Sequence, residues 1–280
     1  LWRVVARDNS NAETPAAKTW KFTTAGAPPS LQIYLSPKAA VTMGGFPYAV
    51  NDVLRWSETA NEWALPFDGS TIPLVKNVVA FGLLDDGSML MTFSANQPVF
   101  INGVKETFTA WDVARYFPAT NTWAWYLDGS DVGLTVSAEK IDAIATSPDG
   151  RLVISTSGTA AVNCTVNATL CPTGKFKAAD EDLIAFNGTT GAASTGVWSH
   201  YFDGSKIAGL GVEDVVGASI DAQGNLYISV IDGFIVAGVR GAGKDVLRLS
   251  PSGGVYAVAL YWRTATAGYP GTFDALEVRP

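Results

Sequence analysis

"DVLRWSETANEWALPFDGS" (52–70) decides the fold, because the chain repeats its pieces. They return as "DVARYFPATNTWAWYLDGS" (112–130), as "DLIAFNGTTGAASTGVWSHYFDGS" (182–205) and, in part, as "DVLRLSPSGGVYAV" (245–258). A recurrence in fixed order marks one structural unit used several times and is read before any single motif.

Four sub-patterns follow one another in each copy. The first is Asp before an apolar run, at Asp52, Asp112, Asp182 and Asp245. The second is Trp five residues before Asp-Gly-Ser, pairing Trp63 with Asp68, Trp123 with Asp128 and Trp198 with Asp203. The third is a short apolar strand, "NVVAFGLL" (77–84), "KIDAIATS" (140–147) and "DVVGASID" (214–221). The fourth follows a glycine turn, as in "GSMLMTFS" (87–94), "GRLVISTS" (150–157) and "GNLYISVI" (224–231). Each piece is short, rich in β-branched and aromatic residues, and bounded by Gly, Asp, Asn or Pro, which are strand and turn signals. No segment carries a convincing helical period, so the chain reads as all-β.

One unit is then four strands in about 60–75 residues, the size of a β-propeller blade. The last copy is short of one strand. "TFDALEV" (272–278) matches the third sub-pattern, and the missing fourth is approximated by "LQIYLS" (31–36). The expectation is a propeller of four blades with four strands each, closed by 31–36 pairing with 272–278. Closure of this kind leaves no sheet edge exposed. Five blades are the alternative, with a divergent unit hidden in 158–180 or 231–245.

Composition narrows the partners. Of 280 residues, 48% are hydrophobic and 16% charged, with a formal net charge of −7. An acidic chain without basic runs does not suit nucleic acid, whose phosphates need clustered Lys and Arg. No apolar stretch reaches the ~18 residues of a membrane span. Cys164 and Cys171 lie in "NCTVNATLC", too poor in ligands for a metal, and are expected to form a local disulfide in an oxidising compartment. Sequons stand at Asn163, Asn167 and Asn187.

The first 25 residues differ in pattern. "LWRVVARDNSNAETPAAKTWKFTT" resembles the last two strands of a fibronectin type III domain, and "AGAPPS" (25–30) reads as a linker. The resemblance implies a domain layout of 1–25 as the end of such a module, 26–30 as linker and 31–280 as propeller. No signal peptide heads the chain, which is expected to begin partway through a longer precursor. The repeat itself, in "LDGSDVGL" (127–134) and "VEDVVGASIDAQGNLYIS" (212–229), resembles units of exported, modular bacterial proteins. That resemblance implies an extracellular or cell-surface location and no particular reaction.

Residues able to carry chemistry are few. His200 is the single histidine, and its neighbours Ser199 and Asp203 share its strand segment, where successive side chains alternate faces. Glu139, Asp142, Glu181, Asp182, Glu213 and Asp214 could supply a carboxylate pair for glycoside hydrolysis, but their register suits capping better. A Ca²⁺ reading falls on Asp128, Asp131, Glu213 and Asp214, against the simpler reading of Asp as a turn former. Among the tryptophans, Trp111 and Trp125 lie off the repeat register and are the candidates to face a ligand. The expected role is therefore non-enzymatic, with no cofactor. It is a structural, adhesive or assembly role at the cell surface, binding protein, polysaccharide or further copies through propeller loops. The alternatives are a carbohydrate-active propeller enzyme, hydrolase or lyase, and an extrinsic subunit of a larger envelope complex.

Overall fold

The structure is a computed structural model that describes residues 6–7, 13–14, 31–72, 74–166 and 171–279. The chain divides into two compact units, residues 1–30 and 31–280. In the first unit Ala6–Arg7 pairs antiparallel with Glu13–Thr14. The expected strand around Trp20 and Phe22 lies outside the described residues.

The second unit is a β-propeller of four antiparallel four-stranded sheets. From the axis outward, blade 1 is Phe273–Arg279, Gln32–Pro37, Val53–Ser57 and Glu62–Phe67. Blade 2 is Val78–Leu83, Met89–Phe93, Val113–Phe117 and Thr122–Leu127. Blade 3 is Ile141–Thr146, Leu152–Thr156, Leu183–Thr189 and Thr195–Phe202. Blade 4 is Val215–Ile220, Leu226–Val230, Val246–Ser252 and Val255–Trp262. The innermost strands pack side by side around the axis, each against its two neighbours.

The ring closes as the repeat requires. Phe273–Arg279 pairs with Gln32–Pro37, with Leu276 opposite Leu35 and Val278 opposite Ile33. Adjacent blades pack face to face, so second strands such as Met89–Phe93 and Leu226–Val230 are buried at every residue. Each of four apolar clusters fills one gap between neighbouring blades. Gly217 shows how tight the closing gap is. A Cβ there would stand 2.8 Å from the Leu276 Cβ and 2.5 Å from the Ser229 hydroxyl.

Among the described residues, the stretches 158–180 and 231–245 hold no fifth blade. They contain the two-stranded hairpins Ala160–Asn163 with Lys175–Ala178 and Phe234–Val236 with Val239–Gly241. Val41–Met43 with Phe46–Tyr48 and Gln97–Ile101 with Val104–Phe108 are their counterparts in blades 1 and 2. Every blade thus carries one hairpin between its second and third strands. All four project from the same face, where the innermost strands begin.

The innermost strand also shifts register near its start in every blade, between Val78 and Ala80, Ile141 and Ala143, Val215 and Gly217, and Phe273 and Ala275. A bulge of this kind re-aims the extra residue. The bulged residues are Val79, Asp142, Val216 and Asp274.

Candidate functional site

The hairpin-bearing face is built on four buried aspartates. Asp52, Asp112, Asp182 and Asp245 stand where each hairpin returns to the third strand, all less than a tenth exposed. One carboxylate oxygen accepts the amide three residues upstream, from Ala49 at 2.7 Å, Thr109 at 2.7 Å, Ala179 at 2.9 Å and Ala242 at 3.1 Å. The other accepts an amide just beyond the outer strand, from Gly69 at 3.0 Å, Gly129 at 3.0 Å, Gly204 at 2.9 Å and Thr264 at 3.3 Å. Such charge-assisted bonds tie the hairpin base to the outer-strand turn. Burial pushes the Asp52 and Asp112 carboxyls above their ordinary range, although the amide donors pull them back.

The recurrent Asp-Gly-Ser is explained by the same clamp. The glycine donates the amide and must approach closely: a Cβ on Gly129 would stand 2.0 Å from the Trp111 carbonyl oxygen. The preceding aspartate caps its own turn. Asp68 accepts the Ser70 hydroxyl at 2.6 Å and its amide at 2.9 Å, and Asp128 accepts the Ser130 hydroxyl at 2.7 Å and its amide at 3.0 Å. The Ser70 and Ser205 hydroxyls hold Asp68 and Asp203 below the usual carboxylate range.

The hairpin tips present apolar side chains to solvent. Phe46, Phe100, Val104, Val166 and Ile235 are between 49% and 70% exposed. Each hairpin of the four contributes at least one of them. The disulfide Cys164–Cys171 staples the hairpin that carries Val166.

At the centre of this face the bulged residues form a throat. Blades 1 and 3 place Asp274 and Asp142 there, and blades 2 and 4 place Val79 and Val216. Asp214 precedes the innermost strand of blade 4, and Asp180 lies on the hairpin return of blade 3. Both Asp142 carboxylate oxygens and Oδ1 of Asp214 are sealed from solvent and, apart from the Asp142 backbone amide, have no hydrogen-bond partner. The two carboxyls lie within hydrogen-bonding reach of each other. Burial, then the Asp214 charge, push Asp142 well up. Burial and then the Asp180 charge push Asp214 to about 6, against the pull of Lys38. Lys38 stands 3.4 Å from Asp274.

The opposite mouth of the axis is a different surface. A cavity of about 460 Å³ is lined there by Leu83, Ser147, Ile220, Glu277 and Arg279, among others, from all four blades. Arg279 donates to Glu277 at 2.9 Å and to the Leu83 carbonyl at 2.5 Å. Burial pushes Glu277 to about 7, with Arg279 opposing.

The residues singled out in the sequence fall as follows. Trp111 donates its indole N–H to the Val136 carbonyl at 2.8 Å and packs on the cluster between blades 2 and 3. Trp125 is half-buried against Phe108, with ring centres 4.2 Å apart. Asp131 accepts the Ser194 amide at 3.0 Å, and the Asp128 amide donates to the Ser194 hydroxyl at 3.0 Å. Glu213 is half-buried beside Asp214, its carboxyl raised by burial and by Asp232. Of the six acids considered for a carboxylate pair, Asp142 and Asp214 converge. Glu139 instead accepts three amides, from Thr135, Val136 and Ala161. His200 stacks on Phe176 at 4.7 Å, while Ser199 accepts from Asn187 and Asp203 engages Ser205 and Lys206. Among the described residues, no group of three or more His, Cys, Asp or Glu side chains is placed to hold a metal ion. Among them, too, no helix is long and apolar enough to cross a membrane.

No family model matches the chain, and no curated protein does. Solved structures do. One, described as YCF48 bound to D1 peptide, is 11% identical with a TM-score of 0.32 over 88% of this chain and 58% of that one. A protein from Lactobacillus plantarum is 9% identical with a TM-score of 0.36, over 90% of this chain and 100% of that one. PorZ, a surface component of the type-IX secretion system of Porphyromonas gingivalis, is 10% identical with a TM-score of 0.26, over 81% of this chain and 38% of that one. This chain therefore spans little more than half of the first of these and well under half of the last. Nothing in these comparisons shows a fibronectin type III module, and the likeness assigns no ligand.

Proposed function

We propose that the propeller is an exported binding module that holds a protein partner on its hairpin-bearing face, in a structural or adhesive role at the cell surface. The observation that carries this reading is the crown of exposed apolar tips, Phe46, Phe100, Val104, Val166 and Ile235, shared among all four hairpins of one face. Apolar side chains grouped on one surface mark a contact site, whereas scattered ones need no explanation. The buried aspartate clamps hold the hairpin bases in place, so the crown is preorganised and a partner orders little on binding. A protein suits the crown better than a polysaccharide. The exposed tips are Phe, Val and Ile, while Trp111 and Trp125 are packed against the blades rather than offered as sugar platforms. The Cys164–Cys171 disulfide, on the same face, supports export.

The test is site-specific photo-crosslinking on the surface of the producing cell. A crosslinker placed at Phe46 or Phe100 should give discrete protein adducts, and one placed at Gly253, on a turn of the opposite face, should give none. Adducts from Gly253 alone would overturn the assignment of the face.

A further inference from the structure

In the throat Asp142 and Asp214 converge, Asp180 and Asp274 stand near enough to add to their charge, and Lys38 is beside Asp274. Asp142 enters from blade 3, Asp274 from blade 1, Asp214 from the start of blade 4 and Asp180 from the blade 3 hairpin return, while blade 2 supplies Val79. Lys38, just beyond the second strand of blade 1, is the cation that faces them, and it is engaged by Asp274. Fully ionised, the group would carry four negative charges against one positive.

We infer that Asp142 and Asp214 form a carboxylic acid–carboxylate pair, sharing one proton that locks the throat of the propeller at neutral pH. The geometry requires a positive occupant. An ionised carboxylate cut off from water costs several kcal/mol unless it is paired or hydrogen-bonded. Apart from its own backbone amide, Asp142 has no hydrogen-bond partner, and beside it stands a second carboxylate with an unpartnered oxygen. A proton on Asp142 solves both problems, because its O–H donates to Asp214 and removes one charge. The raised positions of both groups agree with this, as does the absence of three converging ligands among the described residues. The proton joins blade 3 to blade 4 at the centre of the hairpin-bearing face, so its loss at alkaline pH weakens the join from which the crown projects. This inference does not depend on what the crown binds.

The sign follows from linkage. The folded chain keeps a proton that the unfolded chain releases near the ordinary aspartate value of 3.8. Stability from this pair is therefore greatest on the acid side and is lost as pH rises through the folded titration, with Asp214 raised to about 6 and Asp142 raised well above the ordinary aspartate value by burial. The full 280-residue chain is tested in three arms. First, carboxyl ¹³C resonances assigned in the wild type should show the Asp142–Asp214 pair titrating as a coupled unit, with one proton retained to well above the ordinary range. Second, thermal unfolding followed from about pH 5 to about pH 8 should show a decline that D142N flattens, with the variant melting several degrees above wild type at the alkaline end. Third, millimolar Ca²⁺ should leave the wild-type melting temperature unchanged at about pH 8. An ordinary titration of Asp142 overturns the inference. So does a Ca²⁺-dependent rise that D142N abolishes, which would put a metal ion in place of the proton. If D142N fails to fold, the wild-type titration and the Ca²⁺ arm still decide.

Discussion

Asp112 Oδ1 accepts the backbone amide of Gly129 at 3.0 Å, across 17 residues and an entire outer hairpin. The bond recurs in the other blades through Asp52, Asp182 and Asp245, so it is a rule of the repeat rather than an accident of one turn. It explains why Asp opens one sub-pattern and Gly closes another.

Removing the clamp should destabilise the propeller without emptying a core position. Asp112→Ala leaves the amides of Thr109 and Gly129 buried without their acceptor, at a cost of about 2–3 kcal/mol. Gly129→Ala should cost at least as much, because its new Cβ meets the Trp111 carbonyl. Urea unfolding monitored by tryptophan fluorescence reads both.

Trp198 tests packing against ligand contact among the tryptophans. It is 1% exposed and donates its indole N–H to the Val132 carbonyl at 3.0 Å. Trp198→Ala should cost about 3–5 kcal/mol. Trp111→Ala, at a half-buried position, should cost less than half as much in the same unfolding experiment.

The far mouth of the axis sets a separate pH dependence. Glu277 holds its proton to about 7 when folded but only to about 4.5 when unfolded. Stability should therefore fall by roughly 3 kcal/mol as pH rises through that window and level off above it. Melting temperatures of wild type and E277Q across that range check this, and the variant should lose most of the slope.

Asn187 should stay unmodified in a glycosylating host despite its sequon. Its side-chain nitrogen already donates to the Ala185 carbonyl at 3.2 Å and the Ser199 hydroxyl at 3.0 Å, within a paired strand. Peptide mass spectrometry of the folded, secreted protein should find the unglycosylated peptide, because a glycan added before folding would displace these bonds, and a folded chain carrying a glycan there would contradict the expectation.

Much of this architecture is legible in the residues, and the limits are physical. Asp-Gly-Ser and the Trp register reveal the blade because each unit must satisfy the same clamp and fill the same gap. The last strand announces its partner because "TFDALEV" repeats the third sub-pattern and "LQIYLS" supplies the fourth, which the last copy lacks. The hairpins escape such reading. "VTMGGFPY" (41–48) and "FIVAGVR" (234–240) share no motif, because their tips face solvent and no neighbouring blade constrains them. Trp125 looked free because it lies off the register, yet the hairpin of blade 2 folds Phe108 back onto it. The pairing of Asp142 with Asp214 is hidden for another reason. Alternation along a strand says nothing about a residue that a bulge turns toward the axis.

Ring closure is the claim on which all of this rests, and native-state hydrogen exchange tests it most directly. The Tyr34 and Glu277 amides face each other across the ladder that joins the beginning of the propeller to its end. They should exchange only through global unfolding, with the same free energy and denaturant dependence as the amides of Met91 and Ile154 in the second strands of blades 2 and 3. Exchange of Tyr34 and Glu277 far faster than these, and insensitive to denaturant, would show an open ring and contradict the account.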